Sequence, residues 1–330
     1  MTKDAKHLGS SPVVCSGTPA SFGHEPVMLR EVLEAFRPIN DGLFVDATVG
    51  GGGHAQAILE QNAEAFLLGL DRDPHAAAVA AQRLQSFGTR ARVLHARFDD
   101  IGKIVDADGR DLSGAIFDLG VSSHQLDTPQ RGFSYRFDGS LDMRMDPNEP
   151  LDAATIVNTC NEDELTSLLR ANADERFARR IAKSIVAQRP VESTQELAEL
   201  VREAVPAPAR RSGRHPAMRT FQAIRIAVND ELRLIEPALN QTIERLRPGG
   251  RIVVLSYHSG EDRIVKQVFR DAADGICVCP STLPCVCNSE PNVRLLRRKV
   301  VRPTVEEIEA NPRAASARFR AAERLPVGEA

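Results

Sequence analysis

The 330-residue chain lacks the features that mark several special classes of protein. No apolar run approaches the length that spans a bilayer, so we expect no transmembrane segment. Positive charge is not in excess: the formal net charge is −3, so a nucleic-acid partner would have to be met by local basic patches. Six cysteines are too few and too unevenly placed for a disulfide scaffold in a chain of this length. The remaining composition, 42% hydrophobic and 26% charged, is typical of a globular protein.

The first residues of the chain have little hydrophobic content. Residues 1–22 are rich in Ser, Thr, Gly, Pro and Lys, and Val13-Val14 is their only apolar core. This pattern predicts a disordered tail and argues against a secretory signal, which needs a longer apolar stretch. We therefore expect a cytoplasmic protein.

A glycine-rich stretch at residues 44–54 is the strongest local signal in the sequence. A short apolar run ends at Asp46, and the four glycines from Gly50 to Gly53 precede a segment with a helical pattern. This order predicts a strand, a tight turn and a helix start. Glycine permits positive φ and leaves no Cβ in the way of a ligand, and the free N–H groups at a helix start favour a negatively polarised ligand. The stretch therefore predicts a ligand-binding loop.

The predicted strands of the N-terminal half alternate with helices, which indicates βαβ units and a parallel sheet covered on both faces. In such sheets ligands bind at the carboxyl ends of the strands. Three of the predicted strands end at an aspartate: Asp46, Asp71 and Asp118. A single aspartate there is a common turn residue, but three beside a glycine loop favour a ligand site.

Between the fourth and fifth predicted strands, residues 121–150 have no sustained periodicity; helical segments follow, separated by a Pro- and Arg-rich loop at residues 206–216, and no strand is evident. We therefore predict an α/β domain formed by residues 23–135 and 248–330, interrupted by an all-helical insertion at residues 136–247. The long helical pattern that ends the insertion runs to about residue 247, where Pro and Gly stop it. Beyond the fifth strand, the sequence predicts a helix at residues 260–272, a late strand at 294–301, and helices at 304–309 and 314–324.

Two cofactors are compatible with the glycine loop. Gly50-x-Gly52-x-x-Ala55, with Asp71 about twenty residues on, matches a permissive dinucleotide fingerprint and would suit NAD. Asp46 would repel a pyrophosphate, however, and suits a cationic ligand such as S-adenosyl-L-methionine. No P-loop lysine follows the glycines, which disfavours a nucleoside triphosphate. We favour S-adenosyl-L-methionine, with NAD as the alternative.

The chain resembles the bacterial 16S rRNA cytosine-N4 methyltransferases, the RsmH or MraW family, over nearly its whole length. The strings that carry the resemblance are long and unusual. They are His24-Glu25-Pro26-Val27, Gly52-Gly53-His54, Asp71-Arg72-Asp73-Pro74, Asp118-Leu119-Gly120-Val121-Ser122-Ser123, Gln125-Leu126-Asp127, Arg131-Gly132-Phe133-Ser134, Leu141-Asp142-Met143-Arg144-Met145, Thr220-Phe221-Gln222-Ala223-Ile224-Arg225-Ile226, His258-Ser259 with Glu261-Asp262-Arg263, and Asn311-Pro312-Arg313-Ala314.

The resemblance implies a class I (Rossmann-like) S-adenosyl-L-methionine-dependent methyltransferase sheet with a helical insertion, acting on a cytidine in the decoding region of 16S rRNA in the small ribosomal subunit. Three positions depart from the family pattern: Gly51 stands where a larger residue is expected, His124 where proline is expected, and Gly260 where leucine is expected. By motif position, the implied cofactor-binding residues are Gly52, Gly53, His54, Asp71, Phe98, Asp118 and Gln125.

Methylation of an exocyclic amine benefits from a hydrogen-bond acceptor at the transfer centre. Asp118 is our candidate for this catalytic role, and a purely cofactor-binding role is the alternative. Tyr257 and His258, which follow the fifth strand, are further candidates on the side of the acceptor base. A lone histidine is more often structural, so for His258 a structural role is favoured over a chemical one.

Two groups of residues suit RNA. The aromatic residues Phe133, Tyr135 and Phe137 either stack on a splayed base or pack as a lid over the core. Basic residues, which are candidates for phosphate contacts, occur in the insertion (Arg210, Arg211, Arg214 and Arg219) and near the C-terminus (Arg294, Arg297, Arg298, Lys299 and Arg302).

Four clustered cysteines have a C-x-C spacing that differs from the usual zinc knuckle. Cys277, Cys279, Cys285 and Cys287 supply enough thiolates for zinc, but a reduced loop or a redox pair is favoured. We therefore assign no metal site from the sequence.

Overall fold

The computed structural model describes residues 26–210, 215–275, 279, 282 and 290–326. The predicted tail at residues 1–22 lies outside this range. Within the described residues, seven strands form one sheet in the order β3-β2-β1-β4-β5-β7-β6. The strands are β1 (Asp41–Asp46), β2 (Glu64–Asp71), β3 (Ala91–His95), β4 (Leu112–Asp118), β5 (Leu246–Ser256), β6 (Val293–Leu295) and β7 (Arg318–Arg324).

Strands β1 to β5 are parallel, and β7 runs antiparallel between β5 and β6. The carboxyl ends of β1, β2 and β4 therefore meet at one edge of the sheet, which we call the carboxyl edge. This arrangement brings Asp46, Asp71 and Asp118 to the same edge, as the sequence predicts. A mostly parallel sheet of this order, with helices on both faces, confirms the predicted class I methyltransferase fold.

Helices occupy both faces of the sheet and, between β4 and β5, most of the described residues from Ala153 onward. None in the described part of the chain is long and apolar enough to cross a membrane. The helices are α1 (Leu29–Phe36), α2 (Gly53–Gln61), α3 (Pro74–Arg83), α4 (Ile101–Asp108), α5 (Ser123–Asp127), α6 (Ala153–Thr159), α7 (Glu162–Ala173), α8 (Ala178–Ala187), α9 (Thr194–Ala204), α10 (Ala207–Arg210), α11 (Met218–Asn229), α12 (Glu231–Arg245), α13 (Ser259–Asp274) and α14 (Val305–Ala310).

Three apolar cores hold the chain together. Two lie on the two faces of the sheet, one against α1 and α2 and the other against α4, α12 and α13. The third lies among the helices between β4 and β5, and its members run from Leu141 to Val228. Helix α12 packs its residues Ile235, Leu239 and Ile243 into the second sheet core. The chain thus returns to the sheet before β5 begins.

Two features of the C-terminal half differ from the sequence prediction. The helix predicted at residues 314–324 is wrong: Arg318–Arg324 is strand β7, paired with β5. Successive side chains point to opposite faces of the sheet, so Phe319 and Ala321 lie in one sheet core and Ala322 in the other. The late strand at residues 294–301 is confirmed only in part, as β6.

The long helical pattern that ends the insertion is two helices. Asp230 has φ 53° and separates α11 from α12. A left-handed residue ends the hydrogen-bond ladder of the first helix and turns the chain into the second. The break lets α11 join the insertion core while α12 joins the sheet.

Candidate active site

The turn after β1 is built by three of its four glycines. Gly50 and Gly52 have φ values of 52° and 80°, in the left-handed region that favours glycine. A Cβ on Gly53 would lie 2.6 Å from Cγ of Pro26, so this position needs glycine for space. Gly51 has no positive φ, so backbone conformation does not demand glycine there. The tight turn lies at the carboxyl edge, where β1 ends.

Asp46 is a buried carboxyl group at the end of β1. Its side chain is 1% exposed, and Oδ1 accepts one backbone hydrogen bond, from Thr48 N–H at 3.3 Å. Burial raises the pKa of Asp46 to about 8, and the neighbouring carboxylates of Asp118 and Asp71 add to the shift. Within the described residues no cationic side chain pairs with it. Such a group keeps its proton or takes a cationic ligand.

Asp71, at the end of β2, closes the glycine turn onto the sheet. Its Oδ2 accepts a hydrogen bond from Gly50 N–H at 2.9 Å, and its Oδ1 accepts one from Asp73 N–H at 2.8 Å. Burial nevertheless raises the pKa of Asp71 to about 6, because desolvation outweighs the two N–H donors. The carboxylate therefore links the turn after β1 to the turn after β2.

Asp118, at the end of β4, is held by two hydrogen bonds, one at its backbone N–H and one at its carboxylate. Its backbone N–H donates to Oγ1 of Thr48 at 2.7 Å, and its Oδ1 accepts a hydrogen bond from the Tyr257 hydroxyl at 2.6 Å. Oδ2 lies 3.7 Å from Nδ1 of His54, beyond hydrogen-bond distance. Burial raises the pKa of Asp118. The side chain keeps 26% of its surface exposed, so the carboxyl group is enclosed yet open on one side.

His54 sits in the first turn of α2 beside Asp118. Its Nε2 lies 3.0 Å from the carbonyl oxygen of Val27, and because a carbonyl only accepts, Nε2 carries the hydrogen. The side chain is buried, and Nδ1 is left facing the carboxyl group of Asp118. The Gly-Gly-His string therefore combines a turn with a ring that packs beside the fourth strand.

Gln125 and Arg131 meet at Asp73. Gln125 Nε2 and Arg131 Nη1 donate to Oδ2 of Asp73 at 3.0 and 2.9 Å. The other oxygen of Asp73 accepts from His75 N–H and caps α3. The Gln125 amide oxygen accepts from Ser122 N–H, so this buried side chain already bonds to protein at both ends. The sequence gives no signal for this junction.

The remaining predicted residues fall in two places. Phe98, in a short 3-10 turn after β3, packs edge-to-face on Phe117 with ring centroids 6.0 Å apart.

Arg210 and Arg219 lie in the insertion and donate to the carbonyl oxygens of Val205 and Asp174. Arg211 and Arg214 lie outside the described residues. Of the four clustered cysteines, Cys279 is the one within the described part of the chain.

Comparison with known proteins gives a family. A model of the MraW methylase family matches residues 21–325. The chain belongs to the MraW methylase family. Methylase membership decides between the two cofactors that the glycine loop leaves open, and it confirms S-adenosyl-L-methionine as the cofactor.

The methylase is similar to proteins named ribosomal RNA small subunit methyltransferase H. That of Heliobacterium modesticaldum is 48% identical over 311 residues, which is 92% of this chain and 99% of the relative. That of Acidothermus cellulolyticus is 50% identical over 318 residues, 94% of this chain and 96% of the relative. A solved structure of a putative methyltransferase from Streptococcus mutans, in complex with SAH, has a TM-score of 0.42 and 12% identity, covering 90% of this chain and 97% of that one.

The residues after β5 divide into two roles in this methylase. Tyr257 reaches Asp118, whereas His258 caps α13: its Nδ1 accepts from the N–H groups of Gly260 and Glu261 at 3.2 and 3.4 Å. Its Nε2 lies 3.1 Å from Glu261 Oε1 but off the line of a hydrogen bond. A Cβ on Gly260 would lie 3.1 Å from the His258 ring, so glycine suits this cap. Of the two residues, Tyr257 is thus the one that contacts Asp118, and His258 is the one that caps α13.

The aromatic residues after β4 also divide. Phe133 is 5% exposed, and Tyr135 stacks on His215 with centroids 4.5 Å apart. Tyr135 also meets the Phe221 ring edge-to-face at 5.9 Å. Phe137 is 46% exposed. The first two rings pack into the protein, and the third presents its surface to solvent.

Proposed function

We propose that this methylase transfers a methyl group from S-adenosyl-L-methionine to the exocyclic N4 amine of a cytidine in the decoding region (P site) of 16S rRNA. The observation that carries the proposal is the carboxyl group of Asp118, with one oxygen held by Tyr257 and the other without a hydrogen bond to any residue that the structure describes. An amine that gains a methyl group must lose a proton, and a carboxylate is a suitable acceptor. The names of the relatives, small-subunit rRNA methyltransferases, supply the substrate class.

The carboxyl edge suits the proposed cofactor. The buried carboxyl group of Asp46 has no cationic partner among the residues that the structure describes, and a positively charged ligand would complete it. When bound, S-adenosyl-L-methionine supplies a methyl group activated on a sulfonium. In this proposal Asp71 accepts hydrogen bonds from ribose hydroxyls with the lone pairs that Gly50 and Asp73 leave. The residues proposed to hold the cofactor are Gly52, Gly53, His54, Asp71, Phe98, Asp118 and Gln125.

The protein's contribution to the chemistry is positioning and proton acceptance. The cytosine amine is a poor nucleophile because its lone pair is delocalised into the ring. Holding the reactants in line contributes several kcal/mol, up to about 7–11 in the best intramolecular models. Asp118 then accepts the amine proton, which becomes more acidic as the new bond forms. A stronger base is not required.

The insertion is proposed to recognise the RNA. Residues 136–247 carry Arg210, Arg211, Arg214 and Arg219, which are proposed to contact phosphates. The target base must leave its stack to reach the carboxyl edge, and the exposed ring of Phe137 offers it a surface. A substrate within the small ribosomal subunit places the enzyme in the cytoplasm.

Product analysis tests the proposal. Tritiated S-adenosyl-L-methionine would be offered with small ribosomal subunits, naked 16S rRNA, small molecules and protein, and labelled nucleosides would be identified. We expect N4-methylcytidine from the ribosomal substrate. Label that enters only small molecules or protein would instead support the alternative, a methyltransferase of another substrate.

The role of Asp118 has its own test. Asp118→Asn removes the acceptor charge, and general-base catalysis typically contributes about 10²–10⁴-fold, so single-turnover methylation should slow by that order. Cofactor affinity, measured by calorimetry, separates loss of binding from loss of chemistry. Full turnover by the variant would end the catalytic role and leave Asp118 as a cofactor-binding residue.

A further inference from the structure

Tyr257 lies between the end of β5 and the carboxyl group at the end of β4. Its backbone N–H donates to Glu261 Oε2 at 2.7 Å, and this buried glutamate also belongs to the cap of α13. The ring lies against the turn after Asp118, where a Cβ on Gly120 would be 3.3 Å from Tyr257 Cδ2. The hydroxyl therefore approaches Asp118 from a fixed direction.

The two oxygens of Asp118 are consequently not equivalent. Oδ1 accepts the Tyr257 hydroxyl at 2.6 Å, while Oδ2 has no hydrogen-bond partner among the described residues and lies 3.7 Å from His54 Nδ1. The hydrogen bond from Asp118 N–H to Thr48 fixes the backbone at the same point. With backbone and Oδ1 both held, rotation of the carboxyl group is blocked and Oδ2 keeps one orientation.

We infer that Tyr257 is a positioning residue for methyl transfer: it anchors Oδ1 of Asp118 so that Oδ2 accepts the proton of the reacting amine. The inference rests on the proposed function of Asp118. As the bond from N4 to the methyl carbon forms, the bond from that carbon to sulfur breaks and its electron pair stays on sulfur. The proton that leaves N4 passes to Oδ2, and from there to solvent through the open side of the carboxyl group.

The surroundings fix the sign of the pH dependence. The titratable groups that act on Asp118 are Asp46 from β1, His54 from α2, and Tyr257 and Glu261 from the segment after β5. Burial and Glu261 raise the pKa of Asp118, whereas His54 and the Tyr257 hydroxyl lower it. Removing the hydroxyl therefore raises the pKa of Asp118 further. Burial and the carboxylate of Asp118 raise the pKa of Tyr257 well above its usual value, so it stays a donor.

Tyr257→Phe keeps the ring and removes the hydroxyl. In single-turnover methylation of the ribosomal substrate, we expect the rate to fall about ten- to a hundredfold, less than deletion of a general base costs. The acid limb of the rate profile should move to higher pH, because Asp118 must ionise at a raised pKa. Affinity for the cofactor should stay within about twofold. Thr242→Val, which removes a buried hydroxyl bonded only to Ala238 O within α12, is the matched control and should leave the acid limb in place.

A second measurement avoids any folding defect in the variant. The chain has two tyrosines, so global replacement with 3-fluorotyrosine alters only Tyr135 and Tyr257. Fluorination makes the phenol a stronger donor, so the acid limb should move to lower pH. In the Tyr257→Phe background, fluorination should have no effect on the limb.

The outcomes separate the inference from the function on which it rests. A wild-type enzyme that yields N4-methylcytidine, with an acid limb unmoved by both Tyr257→Phe and fluorination, would overturn the inference and leave the proposed function standing. A wild-type enzyme that yields no N4-methylcytidine would overturn both. A limb that moves in opposite directions in the two experiments supports Tyr257 as the residue that positions Asp118.

Discussion

At the scale of single residues, the carboxyl edge brings together three carboxyl groups that are costly to ionise. Burial raises the pKa of Asp46, Asp71 and Asp118, and the carboxylates of Asp118 and Asp71 raise the pKa of Asp46 further. The pKa of Asp46 is raised from 3.8 to about 8. A cationic ligand lowers this cost, which makes binding and ionisation interdependent.

Cofactor affinity should therefore depend on pH through Asp46. Below about pH 8 the group is protonated in the free enzyme, and binding a cation must release that proton. We compare how tightly wild type and Asp46→Asn bind S-adenosyl-L-methionine, as the ratio of their association constants. This ratio should rise by at most about tenfold per pH unit and level off above about pH 8. Calorimetry of both proteins from pH 6.5 to 9 measures it. A ratio that does not change with pH would contradict the assignment.

Asp46 should also affect folding stability: as the pH rises, its contribution to the stability of the cofactor-free protein falls, whereas its contribution to cofactor affinity rises. A raised pKa means that the folded state holds the proton more tightly than the unfolded state does. The resulting stabilisation is complete below about pH 3.8 and is lost as the pH rises to about 8. Without cofactor, the wild type should lose thermal stability relative to Asp46→Asn between pH 5 and 8. An unchanged difference would show that Asp46 ionises normally.

At the scale of elements, α11 and α12 are fastened to each other where the insertion rejoins the sheet. Arg225 of α11 and Glu231 of α12 form a bidentate pair, with distances of 2.9 and 2.8 Å and side chains 14% and 10% exposed. At the same junction Asn229 bonds to Met143 O and Met145 N–H. The pair therefore fixes the angle of the insertion.

Breaking this pair should be costly. Arg225→Met leaves the Glu231 carboxylate buried without its partner, which typically destabilises a protein by about 3–5 kcal/mol. Arg202→Met is the matched control: its partner Glu199 is exposed, and such pairs contribute about 0–1 kcal/mol. Urea unfolding followed by fluorescence and circular dichroism compares the two. Equal shifts in the midpoint would argue against a specific role of the Arg225–Glu231 pair.

At the scale of the whole molecule, the net charge is −3, so RNA would have to bind to a local basic surface. One such surface borders β7, where the chain pairs through Leu296 and again through Val301. Between and just beyond these points Arg297, Arg298, Lys299 and Arg302 are exposed. Arg294, by contrast, pairs with Glu323 at 2.7 Å.

If this surface contacts phosphates, its charge should appear in the salt dependence of RNA binding. Replacing Arg297 and Arg298 by Gln should reduce the slope of log K against log salt by about 1.4, since each phosphate contact on a single strand adds about 0.7. The control replaces Arg37 and Arg92, both exposed and distant from the carboxyl ends of the strands. Equal slopes for both double variants would place the RNA elsewhere.

Much of this architecture follows from local sequence pattern. Each of β1, β2 and β4 is an apolar run that ends at an aspartate, and the turn residues between them are local signals. The C-terminal strand was predicted wrongly because its Arg-rich composition resembles a helix. Its strand state comes from pairing with β5, which no local window contains.

The candidate site divides in the same way. The glycine turn and the three aspartates are visible in the sequence because their neighbours in the chain explain them. The contact from Tyr257 to Asp118 joins residues 139 positions apart, and the contact from Arg131 to Asp73 joins residues 58 apart. Neither contact can be predicted from the spacing of the two residues in the sequence.

By itself, the sequence determined the parallel sheet, the turn after β1, the helical insertion and the family, because periodicity, glycine and long motifs are properties of adjacent residues. Only the tertiary structure decided that Tyr257 holds one oxygen of Asp118 while the other has no hydrogen bond within the described part of the chain, that His258 caps a helix, and that Gly51 is not required by its φ. The physical reason is distance along the chain: hydrogen bonds and burial depend on which surfaces meet, and the fold alone decides that.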